Sequence, residues 1–306
     1  MISEHLDGLR ASLSGPVVAL TTPLDSSGEI DLDGLERLVS YYLEGGITAF
    51  IAAGTTGYCY ALSREEHLAV VERVARVCRG RGFVLAGVSH SGTREANRLA
   101  EGCERAGADA LLMTPPYYHQ SCTHEGRFRH YRDVAQNHSL PLIVYSIFGA
   151  NLDVEFFKRC ADVDNIAGIK EATGDYNHAR DLLIELGERF VVIGGGSMRY
   201  YLWHWLWGSA GYVTSIANLL PTVELEFYEA LQRGDVHAAR SVVTRYEQPF
   251  FEAMIGQYSW HESLHAALKV FDLPAGALRL PLVEPPEEHR VALRKAFVEI
   301  GLLPAE

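Results

Sequence analysis

Apolar positions along this chain follow two periods, and the period switches repeatedly. From Pro16 onward, short continuous apolar runs are each followed by a longer segment in which apolar residues return every third or fourth place. Residues 16–22, 49–53, 83–88, 110–114, 142–146, 165–170, 191–194 and 212–215 read as strands. Residues 31–44, 93–106, 125–137, 154–161, 175–186, 198–207 and 223–233 read as helices, with another opened by Ser63. Glu66 stands three places after Ser63, the spacing of a capping box, and Leu68, Val71, Val74 and Val77 form the apolar stripe behind it.

Continuous apolar strands alternating with helices indicate a parallel sheet covered on its outer face. Repeated to this number, the unit predicts an α/β fold, a (β/α)8 TIM barrel. After about Asp235 the strands stop. Residues 236–251, 262–271 and 286–300 carry only helical patterns, so the expected organisation is a barrel over 1–234 that holds the active site and a C-terminal helical subdomain over 235–306. No linker rich in Gly, Pro or Ser separates them.

Composition narrows the class. The 306 residues are 48% hydrophobic and 22% charged, as in an ordinary globular enzyme, and the net charge of -12 opposes a nucleic-acid partner. Cys59, Cys78, Cys103, Cys122 and Cys160 are scattered singly, a pattern of free thiols. Residues 1–14 carry Glu4, Asp7 and Arg10 without an apolar centre, unlike a secretory leader, and no segment reads as a membrane span. A cytoplasmic protein without membrane or nucleic-acid partners is expected.

In such a barrel, chemistry collects at the C-terminal ends of the strands. Lys170 stands at the end of the sixth expected strand and Tyr145 at the end of the fifth. A lysine at the mouth of a buried strand either solvates the strand end or, stripped of water, attacks a ketone as a neutral amine. A neighbouring phenol can pass protons to the resulting carbinolamine. Gly54-Thr55-Thr56-Gly57 follows the second strand, where backbone N–H groups can converge on a carboxylate, although the tetrapeptide is also simply a good turn. Gly194-Gly195-Gly196-Ser197 reads as a tight turn lining the pocket. Tyr200, Trp203 and Trp207 recur on one helical face, as core or subunit interface. No metal-ligand spacing stands out.

Gly54-Thr55-Thr56-Gly57, Pro116-Tyr117-Tyr118, Tyr145 and Gly168-Ile169-Lys170-Glu171-Ala172-Thr173-Gly174-Asp175 occur together in the order of the dihydrodipicolinate synthase / N-acetylneuraminate lyase family, which the chain resembles over nearly its whole length. The resemblance implies a Schiff-base lyase of the class I aldolase type, with pyruvate as nucleophile or product. It places the Schiff base on Lys170 and general acid/base work on Tyr145. Thr55 and Thr56 would hold the keto-acid carboxylate through their N–H groups, and Thr55 would also link Tyr145 to Tyr118, which reaches into a neighbouring subunit. Gly195 would line the site. No cofactor beyond the covalent Schiff base is implied, and family members are commonly homotetramers, dimers of dimers.

The chain departs from the family pattern at three places. Ser146-Ile147-Phe148-Gly149-Ala150-Asn151 lacks the arginine with which synthases hold the carboxylate of their aldehyde. Tyr58 replaces the usual glutamate after the glycine–threonine loop, and His261 and His265 stand where relatives often carry a lysine. Tyr58 and Phe148 are therefore candidate substrate-binding residues for a non-standard, more apolar aldehyde, with loop packing as the other reading. A sugar-acid dehydratase, the 4-hydroxy-tetrahydrodipicolinate synthase reaction itself, and a non-catalytic keto-acid binder are the alternatives.

Overall fold

The computed structural model describes residues 2–118, 122–150 and 152–304. It opens with a helix that the switching periods do not predict, α1 (Ile2–Ser12). The strand–helix pairs follow: β1 (Gly15–Ala19) and α2 (Leu32–Glu44), β2 (Ala49–Ala52) and α3 (Arg64–Cys78), β3 (Phe83–Gly87) and α4 (Thr93–Ala106), β4 (Ala110–Met113) and α5 (His124–Asn137). The second half continues with β5 (Leu142–Ile147) and α6 (Val154–Cys160), β6 (Ile166–Ala172) and α7 (Tyr176–Leu186), β7 (Val191–Gly195) and α8 (Met198–Trp205), β8 (Gly211–Val213) and α9 (Pro221–Gln232). All strands are parallel, in sequence order, and β8 pairs back onto β1 to close the barrel.

Local chemistry sets the helix starts. The Ser63 hydroxyl accepts from the Glu66 N–H at 3.2 Å and Glu66 Oε2 accepts from the Ser63 N–H at 2.7 Å, so two otherwise unpaired donors of α3 are satisfied. Asp31 accepts from the Gly34 N–H at 2.7 Å to begin α2. Alternation along the strands then divides the core. Val17, Ile51, Leu85, Leu112, Ile143 and Ile193 fill the barrel, while Val18, Phe50, Val84, Leu111, Val144 and Val192 face the helices. Leu6 and Leu9 of α1 and the following Leu13 join the inner cluster, so α1 packs onto the barrel interior.

After the barrel come α10 (Val236–Val242), a π-helical turn over Val243–Glu247, α11 (Gln248–Met254), α12 (Trp260–Val270) and α13 (Glu287–Glu299). Phe250, Leu264, Leu268 and Phe297 share one core cluster with the residues between barrel and helices. The aromatic stripe along α8 and the turn after it is exposed in this chain: Trp203 and Trp207 are exposed, and Tyr200 stacks on Tyr176 at 5.8 Å. Among the described residues no helix is long and apolar enough to cross a membrane.

The pairing of β5 with β6 contains an irregularity. Leu142 pairs with Ile166, but Ile143 pairs with Gly168, which leaves Ala167 as an inserted residue. Side chains in a strand alternate, so from the outward Ile166 an uninterrupted β6 would aim residue 170 at the helices. The bulge reverses that phase, and Lys170 faces inward opposite Tyr145. Gly168 permits the crossing, because a Cβ there would stand 2.6 Å from both Ile143 Cδ1 and the Val191 carbonyl oxygen. Gly168→Ala should therefore lower stability by about 2 kcal/mol, the scale of overpacking a core. Urea denaturation checks it; an unchanged midpoint would mean that β6 absorbs the methyl without shifting.

Candidate active site

Lys170 and Tyr145 are register partners at the C-terminal ends of β6 and β5, and both line one cavity of about 290 Å³. Lys170 is 7% exposed, and its Nζ stands 3.8 Å from the centroid of the Tyr145 ring. Room for the amine comes from β7. A Cβ on Gly195 would lie 3.1 Å from Lys170 Cε and 2.6 Å from Ala172 Cβ, so a side chain there would press on the lysine stem.

The glycine–threonine loop forms another wall. Its turn is closed by the Gly57 N–H donating to Gly54 O and the Tyr58 N–H to Thr55 O, both at 3.1 Å, and Thr22 Oγ1 ties it to the end of β1 by donating to Gly57 O at 2.9 Å. The N–H groups of Thr55 and Thr56 have no acceptor among the described residues. Unpaired backbone donors beside a cavity are what an anion requires. Thr214 Oγ1 and Ser215 Oγ, at the end of β8, are buried and unpartnered on the same cavity.

A second cavity of about 380 Å³ adjoins the first, sharing Thr55, Ser89 and Thr114. Its other walls are largely apolar: Tyr60, Pro115, Pro116, Tyr117, Ile147 and Phe148. Phe148 is 83% exposed at its rim, and Asn151 at the end of that loop lies outside the described residues. Arg127 of α5 also reaches this wall, donating to Ala150 O at 2.7 Å. Inspection of the β5 loop alone misses this arginine, because it arrives from the preceding helix.

The structure separates the remaining candidates. Tyr58 lines neither cavity: its backbone is turned to φ 61°, its ring is buried beside that of His261 at 5.5 Å, and burial pushes its phenol up to about 12 against a hydrogen bond from Thr21. The loop-packing reading is the one its position fits. Tyr118 is 82% exposed, outside both cavities of its own chain. Of the two histidines, His261 lines the first cavity together with Trp260 and Phe251, whereas His265 is buried and bonded to Gly276 O at 2.7 Å. Cys59 borders the second cavity, but burial raises its thiol to about 11, which makes it a poor nucleophile. Among the described residues no group of three or more His, Cys, Asp or Glu is arranged to hold a metal ion.

Three buried carboxyls stand behind the cavity walls. Glu171 points away from Lys170 and accepts from the Thr173 N–H at 2.8 Å, with His178 Nε2 3.5 Å away. Burial raises its pKa. Glu224 accepts from Tyr212 Oη at 2.7 Å and the Ile216 N–H at 3.1 Å, supporting the turn after β8, and burial raises it too. Glu247, in the π-helical turn, accepts from the Met198 and Arg199 N–H groups at 2.7 and 3.0 Å and so caps α8 beneath the Gly195–Ser197 turn. Burial, helped by the nearby Glu224 charge, raises Glu247 to about 7.

A sequence model of the Dihydrodipicolinate synthetase family matches residues 12–300. The 4-hydroxy-tetrahydrodipicolinate synthase of Pseudomonas aeruginosa is 35% identical over 298 residues, 95% of this chain and 99% of its own. That of Archaeoglobus fulgidus is 34% identical over 292 residues, covering 94% and 99%. The crystal structure of dihydrodipicolinate synthase from Acinetobacter baumannii complexed with pyruvate superposes with a TM-score of 0.85 at 31% identity, covering 95% of this chain and all (100%) of that one.

The buried carboxyl of Glu247 has a pH signature. Its folded pKa of about 7 lies above the ordinary 4.5, so the fold favours the protonated form. Its contribution is full below the ordinary value and is lost as pH rises through the folded one. Between about pH 5 and about pH 8 the thermal midpoint of the native protein should fall by more than that of Glu247→Gln. Parallel pH curves for the two proteins would show that Glu247 is ionised throughout.

Proposed function

The chain belongs to the dihydrodipicolinate synthetase family, a family of Schiff-base aldolase-type lyases, and on that premise we propose that it makes or breaks a carbon–carbon bond between a pyruvate-type 2-keto acid and an aldehyde of apolar character. The observation that carries the chemistry is the register pairing of Lys170 with Tyr145 inside one cavity. The keto-acid carboxylate sits on the unpartnered N–H groups of Thr55 and Thr56, which brings the ketone carbon to the Lys170 amine. Addition gives a carbinolamine, and loss of water, with Tyr145 returning a proton to the departing hydroxyl, gives the iminium. Loss of a proton from the adjacent carbon leaves an enamine, which adds to the aldehyde carbonyl; cleavage runs the same steps backwards. The iminium is the electron sink, so the reading calls for no further cofactor. Tyr118, exposed on its own chain, serves the cavity of a neighbouring subunit in this reading, within a homotetramer.

The aldehyde preference rests on the second cavity, whose walls are mainly proline, aromatic and aliphatic side chains. Arg127 on the same wall favours a second reading, an aldehyde that carries its own carboxylate, as the relatives' synthase reaction would use. A panel of aryl, alkyl and carboxylate-bearing aldehydes assayed with pyruvate separates the two. A higher kcat/KM for aryl aldehydes supports the apolar reading, and a higher value for the carboxylate-bearing one supports the synthase.

Borohydride reduction in the presence of pyruvate should leave a mass increment on the Lys170 peptide, and Lys170→Ala should leave none. Tyr145→Phe should reduce turnover by roughly 10²–10⁴-fold, the usual scale of a lost general acid/base. An increment that survives Lys170→Ala would place the Schiff base elsewhere.

A further inference from the structure

The geometry points to His261, on the C-terminal helices, as a positioning residue for the keto-acid carboxylate. Its Nε2 lies 2.9 Å from the Thr55 carbonyl oxygen. A carbonyl only accepts, so Nε2 carries the hydrogen and the imidazole donates. The peptide that ends in Thr55 C=O begins with Thr56 N–H, and in a planar trans peptide those two bonds point in opposite directions. Holding the carbonyl from outside the loop therefore fixes the direction of the Thr56 N–H, one of the two unpartnered donors at the cavity.

The hold is built from both sides. Inside the loop, the Tyr58 N–H donates to the same Thr55 oxygen at 3.1 Å. Outside it, His261 is placed by α12, whose first turn is closed by Ser259 and Glu262: the Ser259 N–H donates to Glu262 Oε2 at 3.0 Å and the Glu262 N–H to Ser259 Oγ at 3.3 Å. Glu262 also accepts from the Val283 N–H at 3.0 Å, which pins that turn to the following segment. The imidazole itself is confined by two rings, Tyr58 tilted against it at 5.5 Å and Tyr60 edge-on at 6.0 Å. Tyr58, whose position removes it from the cavity wall, thus acts on the site through His261. A bulky residue at φ 61° is strained, and the packing against His261 and the short turn to Thr55 hold it there.

This inference rests on the keto-acid reading given above, and its test separates the two. Pyruvate is titrated into the native protein, His261→Leu and His261→Gln, by calorimetry and by borohydride trapping at Lys170. The expected result for His261→Leu is an apparent Kd and half-saturating pyruvate raised about fivefold, the scale of one net hydrogen bond. The maximal extent of trapping should not change, and His261→Gln, which keeps a donor of similar reach, should restore the affinity. A merely structural role would lower stability and trapping together without rescue by glutamine. Native-like affinity in His261→Leu overturns the inference, as does a glutamine variant as weak as leucine. Absence of trapping in the native protein, with affinity still falling in His261→Leu, would reject the lyase reading and leave the positioning role standing.

Discussion

One inserted residue in β6 determines what the rest of the molecule can be used for. In a closed barrel each strand presents alternate side chains to the interior and to the helices, and a shift of one place exchanges them. Without the bulge at Ala167 the lysine would lie among the covering helices, where an amine has neither ligand nor space. With it, Lys170 shares the cavity with Tyr145. The neighbours are consistent with this choice. Gly168 leaves space for the crossing and Gly195 leaves space for the lysine stem. Glu171, on the opposite phase, turns outward and fastens the strand end to Thr173.

The helices after the barrel are part of the same machinery. Glu247 lies in the π-helical turn that joins α10 to α11 without a break, and from there it reaches the start of α8 beneath the Gly195–Ser197 turn. Trp260, His261 and Phe251 supply a wall of the first cavity. Two walls of that cavity are thus fixed from outside the eight-stranded sheet, through a buried carboxyl on one side and an imidazole on the other.

Much of this was legible in the amino-acid sequence wherever the cause is local. The Ser63–Glu66 box, the helix over residues 93–106 and the apolar runs of the strands each depend on residues a few places apart, and the structure contains them. The family resemblance, too, rests on contiguous motifs. What escaped was set by distant contacts or by phase. Leu6 and Leu9 of α1 and the following Leu13 stand at helical spacing, but their purpose appears only against the barrel interior. Arg127 comes to the second cavity from α5, so the β5 loop alone does not reveal that an arginine borders this wall. Tyr58 follows the threonine loop directly and reads as a rim residue, until its positive φ turns the ring toward α12. The bulge leaves no mark in the pattern, since Ala167 and Gly168 fit an ordinary apolar strand.

The two adjoining cavities meet at a threshold of three small hydroxyl-bearing residues, Thr55, Ser89 and Thr114. Much of the inner compartment is built from residues of the strands, which the closed sheet holds in register, with the threonine loop and the C-terminal helices completing it. Much of the outer one comes from loop residues around Tyr60, Pro116 and Phe148, and loops tolerate replacement far better than barrel strands do. Mutation can therefore remodel the outer compartment while the inner one stays intact. The architecture sets a wall that resists substitution and a wall that tolerates it on opposite sides of one sill.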